Sequence, residues 1–137
     1  MTLENFTEEV IQRIIEICRR MGAVCAIILD KKSIRKGSLK IGLLFGREVG
    51  KEVYHKTFSE FLEKLNVEKD NLTVEILDTA PALIAYKYLK EGTVLYCDDK
   101  NAFKRFKAAK ISQYLEMKDE MQVHAAIALR ESESLSE

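Results

Sequence analysis

The sequence lacks the features that mark membrane, secreted or nucleic-acid-binding proteins. No apolar run approaches the roughly 18 residues of a membrane helix, and the N-terminus has no apolar segment of the signal-peptide kind. The 22 basic and 22 acidic residues cancel, so no net charge favours nucleic acid or a membrane surface. We therefore expect a cytoplasmic protein with no membrane partner, and we do not expect nucleic acid as a partner.

Motifs for metal, redox or nucleophilic chemistry are also missing. The three cysteines, Cys18, Cys25 and Cys97, are odd in number and have no CxxC spacing, which is typical of reduced core residues. No Gly-rich phosphate loop, HExxH motif or nucleophile elbow is present. His55 stands among charged neighbours, so we expect it to be exposed and not a ligand. The sequence thus predicts neither a metal nor a cofactor.

The composition that remains is that of one globular domain. Hydrophobic residues make up 47% and charged residues 32% of the 137 positions, enough for a single core. We expect residues 1–130 to form the domain and 131–137 to be a frayed tail. Apolar periodicity predicts helices over 7–21, 47–65 and 101 to about 130, and strands over 24–29, 38–45, 72–77 and 93–96.

The stretch 71–97, NLTVEILDTAPALIAYKYLKEGTVLYC, organises the chain as strand, helix and strand. Asp78 or Thr79 is predicted to cap the helix, with Pro81 in its first turn and Gly92 as the left-handed residue at its end. "ILDTAPALIAYKYLKEGTVLY", followed by "FKRFKAAKISQYLEM", resembles the C-terminal half of the minimal nucleotidyltransferase family. Its members are small prokaryotic domains of the polymerase-beta type, often encoded beside a HEPN-domain partner in toxin–antitoxin pairs. The resemblance spans about 71–117 and implies an α/β fold, with a small mixed sheet flanked by helices and a long C-terminal helix.

The resemblance does not extend to the catalytic residues. Active members have a Gly-Ser motif, an Asp-x-Asp pair on a strand and a third carboxylate on the neighbouring strand, which together hold Mg²⁺ for phosphoryl transfer. In this sequence the three aspartate positions fall on Ser38, Lys40 and Thr73, and the Gly-Ser motif has no counterpart. We expect no catalytic residue and no metal here. By strand parity, a Lys40–Glu75 pair is predicted to occupy the vestigial pocket.

Association is the function that these observations favour. We expect a degenerate nucleotidyltransferase-fold protein that binds a protein, either a HEPN-domain partner in an antitoxin-like role or a second copy of itself. The C-terminal helix is predicted to carry the interface, because its distal part keeps an apolar stripe: Met121, Ala125, Ala128 and Leu129. Alternatively, the same segment bends back and covers the helix 54–65 of the same chain, in which case its apolar stripe is buried and forms no interface.

Two other functions stay open. The chain could be an active nucleotidyltransferase that modifies a protein or a small molecule from a shifted active site. It could also bind nucleotide or RNA through the basic loop 31–36, whose candidate anion-binding residues are Lys31, Lys32, Arg35 and Lys36. Because runs of charge are usually solvated loops, the sequence favours an exposed connection there.

Overall fold

The computed structural model describes the backbone of residues 3–135 and the side chains of residues 8–120 other than Arg35. Its helices are α1 (Leu3–Met21), α2 (Lys51–Leu65), α3 (Ala82–Glu91) and α4 (Lys100–Leu135), and its strands are β1 (Cys25–Leu29), β2 (Leu39–Leu44), β3 (Leu72–Ile76) and β4 (Thr93–Cys97). Short 3₁₀ helices span Lys31–Lys36 and Lys69–Asn71. The predicted α/β class, with a mixed sheet flanked by helices, is confirmed. None of the helices in this part of the chain is long and apolar enough to cross a membrane.

The strands form one sheet in the order β3-β2-β1-β4. Strand β1 lies antiparallel to both β2 and β4, whereas β2 and β3 are parallel. A parallel pair needs a long crossover, and α2 provides it. The consequence is that the starts of β2 and β3 lie side by side at the same end of the sheet.

Helices cover both faces of the sheet, and the alternation along β2 decides which residues face each side. Leu39, Ile41 and Leu43 are buried in one cluster with residues of α1 and α2, including Ile14 and Phe61. A second cluster, on the other face, joins the sheet to α3 and α4: Cys25, Ile27, Leu29, Leu44, Leu77, Ala80, Ala85, Tyr88 and Phe106. This is the parity that the sequence predicts for 38–45.

Gly42 lies on the α3 side of β2, and its missing side chain makes room for two core residues. A Cβ built there would come within 2.8 Å of Leu77 Cδ2 and 2.9 Å of Tyr88 Cδ1. Such separations are too short for carbon atoms. The glycine therefore sets how closely α3 and the β3–α3 turn approach the sheet.

Several predicted boundaries are wrong by a few residues. Helix α2 starts at Lys51 instead of 47, because Gly46 takes a positive φ of 70° and Gly50 is the extended N-cap. Pro81 is the N-cap position of α3, without a side-chain cap, and is not a first-turn residue. Gly92 is extended, with φ −80° and ψ 161°, and not left-handed. It is still required, because a Cβ there would overlap Ile27 and the carbonyl of Tyr88.

Helix α4 is longer than the sequence predicts. It begins next to Asp99, whose Oδ1 accepts a hydrogen bond from Ala102 N at 3.0 Å, so this aspartate caps the helix. Its 36 residues continue to Leu135, so residues 131–135 of the expected tail are helical. The side chains of the predicted stripe, from Met121 to Leu129, lie outside the described residues.

Candidate functional site

The three positions aligned with catalytic aspartates lie together at the start of β2 and β3. Lys40 and Thr73 are direct partners in the parallel register. Ser38 precedes β2, and its Oγ donates to the carbonyl of Asn71, just before β3, at 3.4 Å. Lys40 and Thr73 are exposed and Ser38 is half-buried. The fold therefore brings together the three positions that the resemblance implies.

A surface depression of about 330 Å³ opens beside Lys40. The end of β1 contributes Leu29 and Asp30, and α3 contributes Lys87 and Glu91. Asp30 has a left-handed backbone, φ 49°, and its carboxylate accepts a hydrogen bond from the Ser33 hydroxyl. The depression thus combines the ammonium groups of Lys40 and Lys87 with the carboxylates of Asp30 and Glu91. The carboxylate of Asp30 is already hydrogen-bonded within the turn that follows β1.

These residues do not fit the metal ions of a nucleotidyltransferase. Magnesium prefers clustered carboxylate oxygens, whereas the strand-end positions offer the hydroxyls of Ser38 and Thr73 and the ammonium of Lys40. Within residues 8–120, Arg35 aside, no group of three or more His, Cys, Asp or Glu side chains lies close enough to hold a metal. Lysine has three donors and no acceptor lone pair when charged, so Lys40 favours an anion, not a cation.

The predicted Lys40–Glu75 pair is not made in this conformation. Glu75 is on the same face as Lys40, because it is the register partner of Gly42. Among the described side chains, the ion pairs are Arg19–Asp98 and Arg20–Glu60. Glu75 instead lies close to Tyr88, a buried residue. Burial raises the pKa of the Tyr88 phenol, and the negative charge of Glu75 raises this pKa further.

The basic loop forms the 3₁₀ helix Lys31–Lys36 between β1 and β2. Ile34 is buried and anchors it to the core, and Gly37 closes it with φ 82° and a hydrogen bond from its N–H to the carbonyl of Ile34. Lys31, Lys32 and Lys36 are exposed, while the side chain of Arg35 lies outside the described residues. The expected connection is thus a short, anchored helical turn with its lysines in solvent.

Asp78 has a role that the sequence does not reveal. Its Oδ1 accepts a hydrogen bond from Phe45 N at 2.8 Å, and its Oδ2 accepts one from Gly46 N at 2.9 Å. The predicted helix cap is therefore wrong: the carboxylate ties the β3–α3 turn to the end of β2. No local motif signals such a contact, since the partners are 32 and 33 positions away.

The first half of α4 is committed to contacts within the chain. Phe106 is buried, the rings of Tyr86 and Tyr114 stack with centroids 3.8 Å apart, and Lys110 Nζ donates to the carbonyl of Ala80 at 2.9 Å. Leu115, the residue after Tyr114, is 50% exposed. The described side chains thus pack α4 against its own domain as far as Tyr114, and the helix backbone continues to Leu135.

No family model matches the sequence, and no curated protein matches it either. Solved structures do match. A chain in the complex of tri-AMPylated Shewanella oneidensis HEPN toxin with MNT antitoxin has a TM-score of 0.72 and 13% identity, over 90% of this chain and 98% of that one. The fold is the minimal nucleotidyltransferase fold. A chain of the toxin–antitoxin MntA–HepT gives a TM-score of 0.70 at 14% identity, over 89% of this chain and 98% of that one. A third chain, from the toxin–antitoxin with AMP-PNP, has a TM-score of 0.70 and 14% identity, over 87% of this chain and 98% of that one. The resemblance that the sequence predicts for 71–117 is confirmed as a likeness of fold, and it extends to nearly the whole chain.

Proposed function

We propose that this protein acts by binding a HEPN-domain protein, in an antitoxin-like role, without transferring nucleotides. The observation that carries the proposal is the register partnership of Lys40 with Thr73, beside Ser38, at the strand ends. The solved structures of the same fold support the partner class, since one is named as a HEPN toxin in complex with MNT antitoxin and another as the toxin–antitoxin MntA–HepT. Self-association remains the alternative form of the same function.

The charge at the strand ends argues against metal-dependent transfer. A divalent ion placed about 6 Å from an ammonium group would be repelled by roughly 5.5 kcal/mol at an effective dielectric of 20, and solvent reduces this further. The carboxylates that would outweigh that repulsion are replaced by the neutral hydroxyls of Ser38 and Thr73. The two-metal mechanism therefore loses its attraction for the ions and gains a repulsive charge at Lys40.

The interface is proposed to lie on the distal part of α4. At 1.5 Å per residue, the helix is about 54 Å long, whereas a chain of this size has a radius of gyration of about 14 Å. The first half lies against α3, and Leu115 is already half-exposed. A helix of this length can reach beyond its own domain and is suited to contact a second protein.

The absence of transfer is tested by thermal melting with ATP and Mg²⁺ or Mn²⁺. We expect no upshift, whereas a ligand at one hundred times its Kd would stabilise the fold by about 2.7 kcal/mol. The matched variant carries Ser38→Asp, Lys40→Asp and Thr73→Asp together, and it should gain metal-dependent stabilisation. An upshift of the unaltered protein that requires both metal and nucleotide would show that it binds them together, and it would contradict the proposal in favour of a shifted active site.

Partner binding is tested with the HEPN-domain protein encoded by a neighbouring reading frame, where one exists. The full chain and a version ending after Lys118 are each mixed with that protein, and light scattering reports the mass of the complex. We expect a complex with the full chain and a folded, unbound truncated form. A full-length protein that stays monomeric, with a truncated form that unfolds, would show that α4 is part of the core and not an interface.

Anion binding by the basic loop is a second candidate, favoured by the exposure of Lys31, Lys32 and Lys36 on one short helix. RNA binding through these residues would fall steeply with salt. Replacing the three lysines with glutamine should then abolish retention of RNA while leaving partner binding unchanged.

A further inference from the structure

The pairing of β1 with β4 brings together two of the three cysteines. Cys25 and Cys97 are register partners on these adjacent antiparallel strands, and their Sγ atoms lie 2.8 Å apart as free thiols. Cys25 is fully buried, whereas Cys97 is partly exposed, so Cys97 is the residue of the pair that lies nearer to solvent. Cys18, on α1, is fully buried.

The backbone around this pair has the geometry that a disulfide needs. Asp98 N donates to the carbonyl of Val24 at 2.7 Å. Val24 and Asp98, which are next to the two cysteines along the ladder, are therefore a hydrogen-bonded pair. Because pairs alternate along an antiparallel ladder, Cys25 and Cys97 form a non-hydrogen-bonded pair, for which Cα atoms are about 4.5 Å apart. Disulfides span Cα separations of about 4.4 to 6.8 Å. Closing the bond therefore requires rotation of the side chains and no large movement of the strands.

We propose that Cys25 and Cys97 are a disulfide-forming site that is oxidised by small disulfides such as oxidised glutathione. The thiolate of Cys97 attacks one sulfur of the oxidant, which forms a mixed disulfide and releases one glutathione thiolate. The thiolate of Cys25 then attacks the Sγ of Cys97 and releases the second glutathione. In sum, two thiols of the protein lose two electrons and two protons, and one glutathione disulfide becomes two glutathione molecules.

The surroundings of Cys25 indicate which step is slow. Burial raises the pKa of the Cys25 thiol to about 12, and the neighbouring Cys97 raises it as well. Few Cys25 thiolates exist at neutral pH, so ring closure should limit the rate and should accelerate as the pH rises. Cys18, whose pKa burial also raises to about 12, is shielded from the oxidant.

The site is tested by incubating the full-length protein in glutathione buffers of increasing oxidation, alkylating free thiols and digesting with trypsin without reduction. Each cysteine falls on its own tryptic peptide: Cys18 on 14–19, Cys25 on 21–31 and Cys97 on 91–100. We expect peptide 21–31 linked to 91–100, with the peptide 14–19 alkylated. The intact protein should lose two hydrogens by mass, and reductant should restore them.

Thermal melting gives a second measurement that does not depend on peptide recovery. Oxidation should raise the melting temperature of the unaltered protein and of Cys18→Ala, and should leave that of Cys97→Ser unchanged. Three alkylated thiols at a large excess of oxidised glutathione would overturn the proposal. A link that includes Cys18, or glutathione retained on Cys97 without ring closure, would overturn it as well. These results do not depend on whether a HEPN-domain protein binds, so the two proposals can fail separately.

Discussion

Replacing Asp78 tests whether one carboxylate fastens the sheet to the turn before α3. Its two oxygens accept hydrogen bonds from Phe45 N and Gly46 N. Phe45 is only 3% exposed, so in Asp78→Ala its N–H loses its acceptor in a place that water reaches poorly. Gly46 is exposed and its N–H can be hydrated. A buried donor left without a partner costs about 1–3 kcal/mol, and a hydrogen bond to a charged group contributes about 1.5–3 kcal/mol. We expect Asp78→Ala to lower the free energy of unfolding by about 3 kcal/mol.

Two further variants make the measurement specific. In Asp78→Asn the amide oxygen keeps one acceptor while the NH₂ group faces the other N–H, so a loss of about 1–2 kcal/mol is expected. Asp70→Ala, at an exposed position in the 3₁₀ helix before β3, should change stability by less than about 0.5 kcal/mol. Urea denaturation in reductant gives all three values. If Asp78→Ala were as stable as Asp70→Ala, the carboxylate would contribute nothing and the reasoning would be refuted.

Three other predictions follow from the core. Gly42→Ala should cost about 1–3 kcal/mol in urea denaturation, because its methyl group would displace Leu77. Tyr96→Phe should cost about 1–2 kcal/mol, because the buried phenol donates to the carbonyl of Ala23 at 2.6 Å; a change below the error of the method would contradict that role. Burial raises the pKa values of Cys18 and Cys25 from 9.0 to about 12, so the unfolded chain loses these protons first. The free energy of unfolding should therefore be highest below about pH 9 and should decline as the pH rises from 9 towards 12. Each thiol contributes a decline of up to about 1.4 kcal/mol per pH unit. Urea midpoints at neutral and alkaline pH, compared with those of Cys18→Ala, would show whether Cys18 contributes its share of the slope. Above about pH 10 the phenols of Tyr88 and Tyr96, whose pKa values burial also raises, add to the same decline.

Local patterns predict the elements of this fold, and long-range pairing explains what they miss. The alternation around Ile41 and Leu43 depends only on neighbouring residues, so it is visible in the sequence as a strand with two distinct faces. The contact between Cys25 and Cys97 depends on which strands pair and in which register, and their separation of 72 positions gives no local signal. Asp78 shows the same limit: its position before a helix favours a cap, but the end of β2 offers two N–H groups that bind it instead.

The residues that maintain this fold are different from those that would give it an activity, and this limits what structural likeness can carry over. Gly42, Leu77 and Tyr88 are fixed by close contact in the core, so replacing them costs stability. Lys40 and Thr73 are exposed at the strand ends, where most substitutions change stability by less than about 0.5 kcal/mol. A nucleotidyltransferase fold can therefore lose its metal ligands at almost no cost to folding. A likeness at 13% identity speaks for the shared core, and the activity must be judged from the strand ends themselves, where the register sets a lysine beside a threonine.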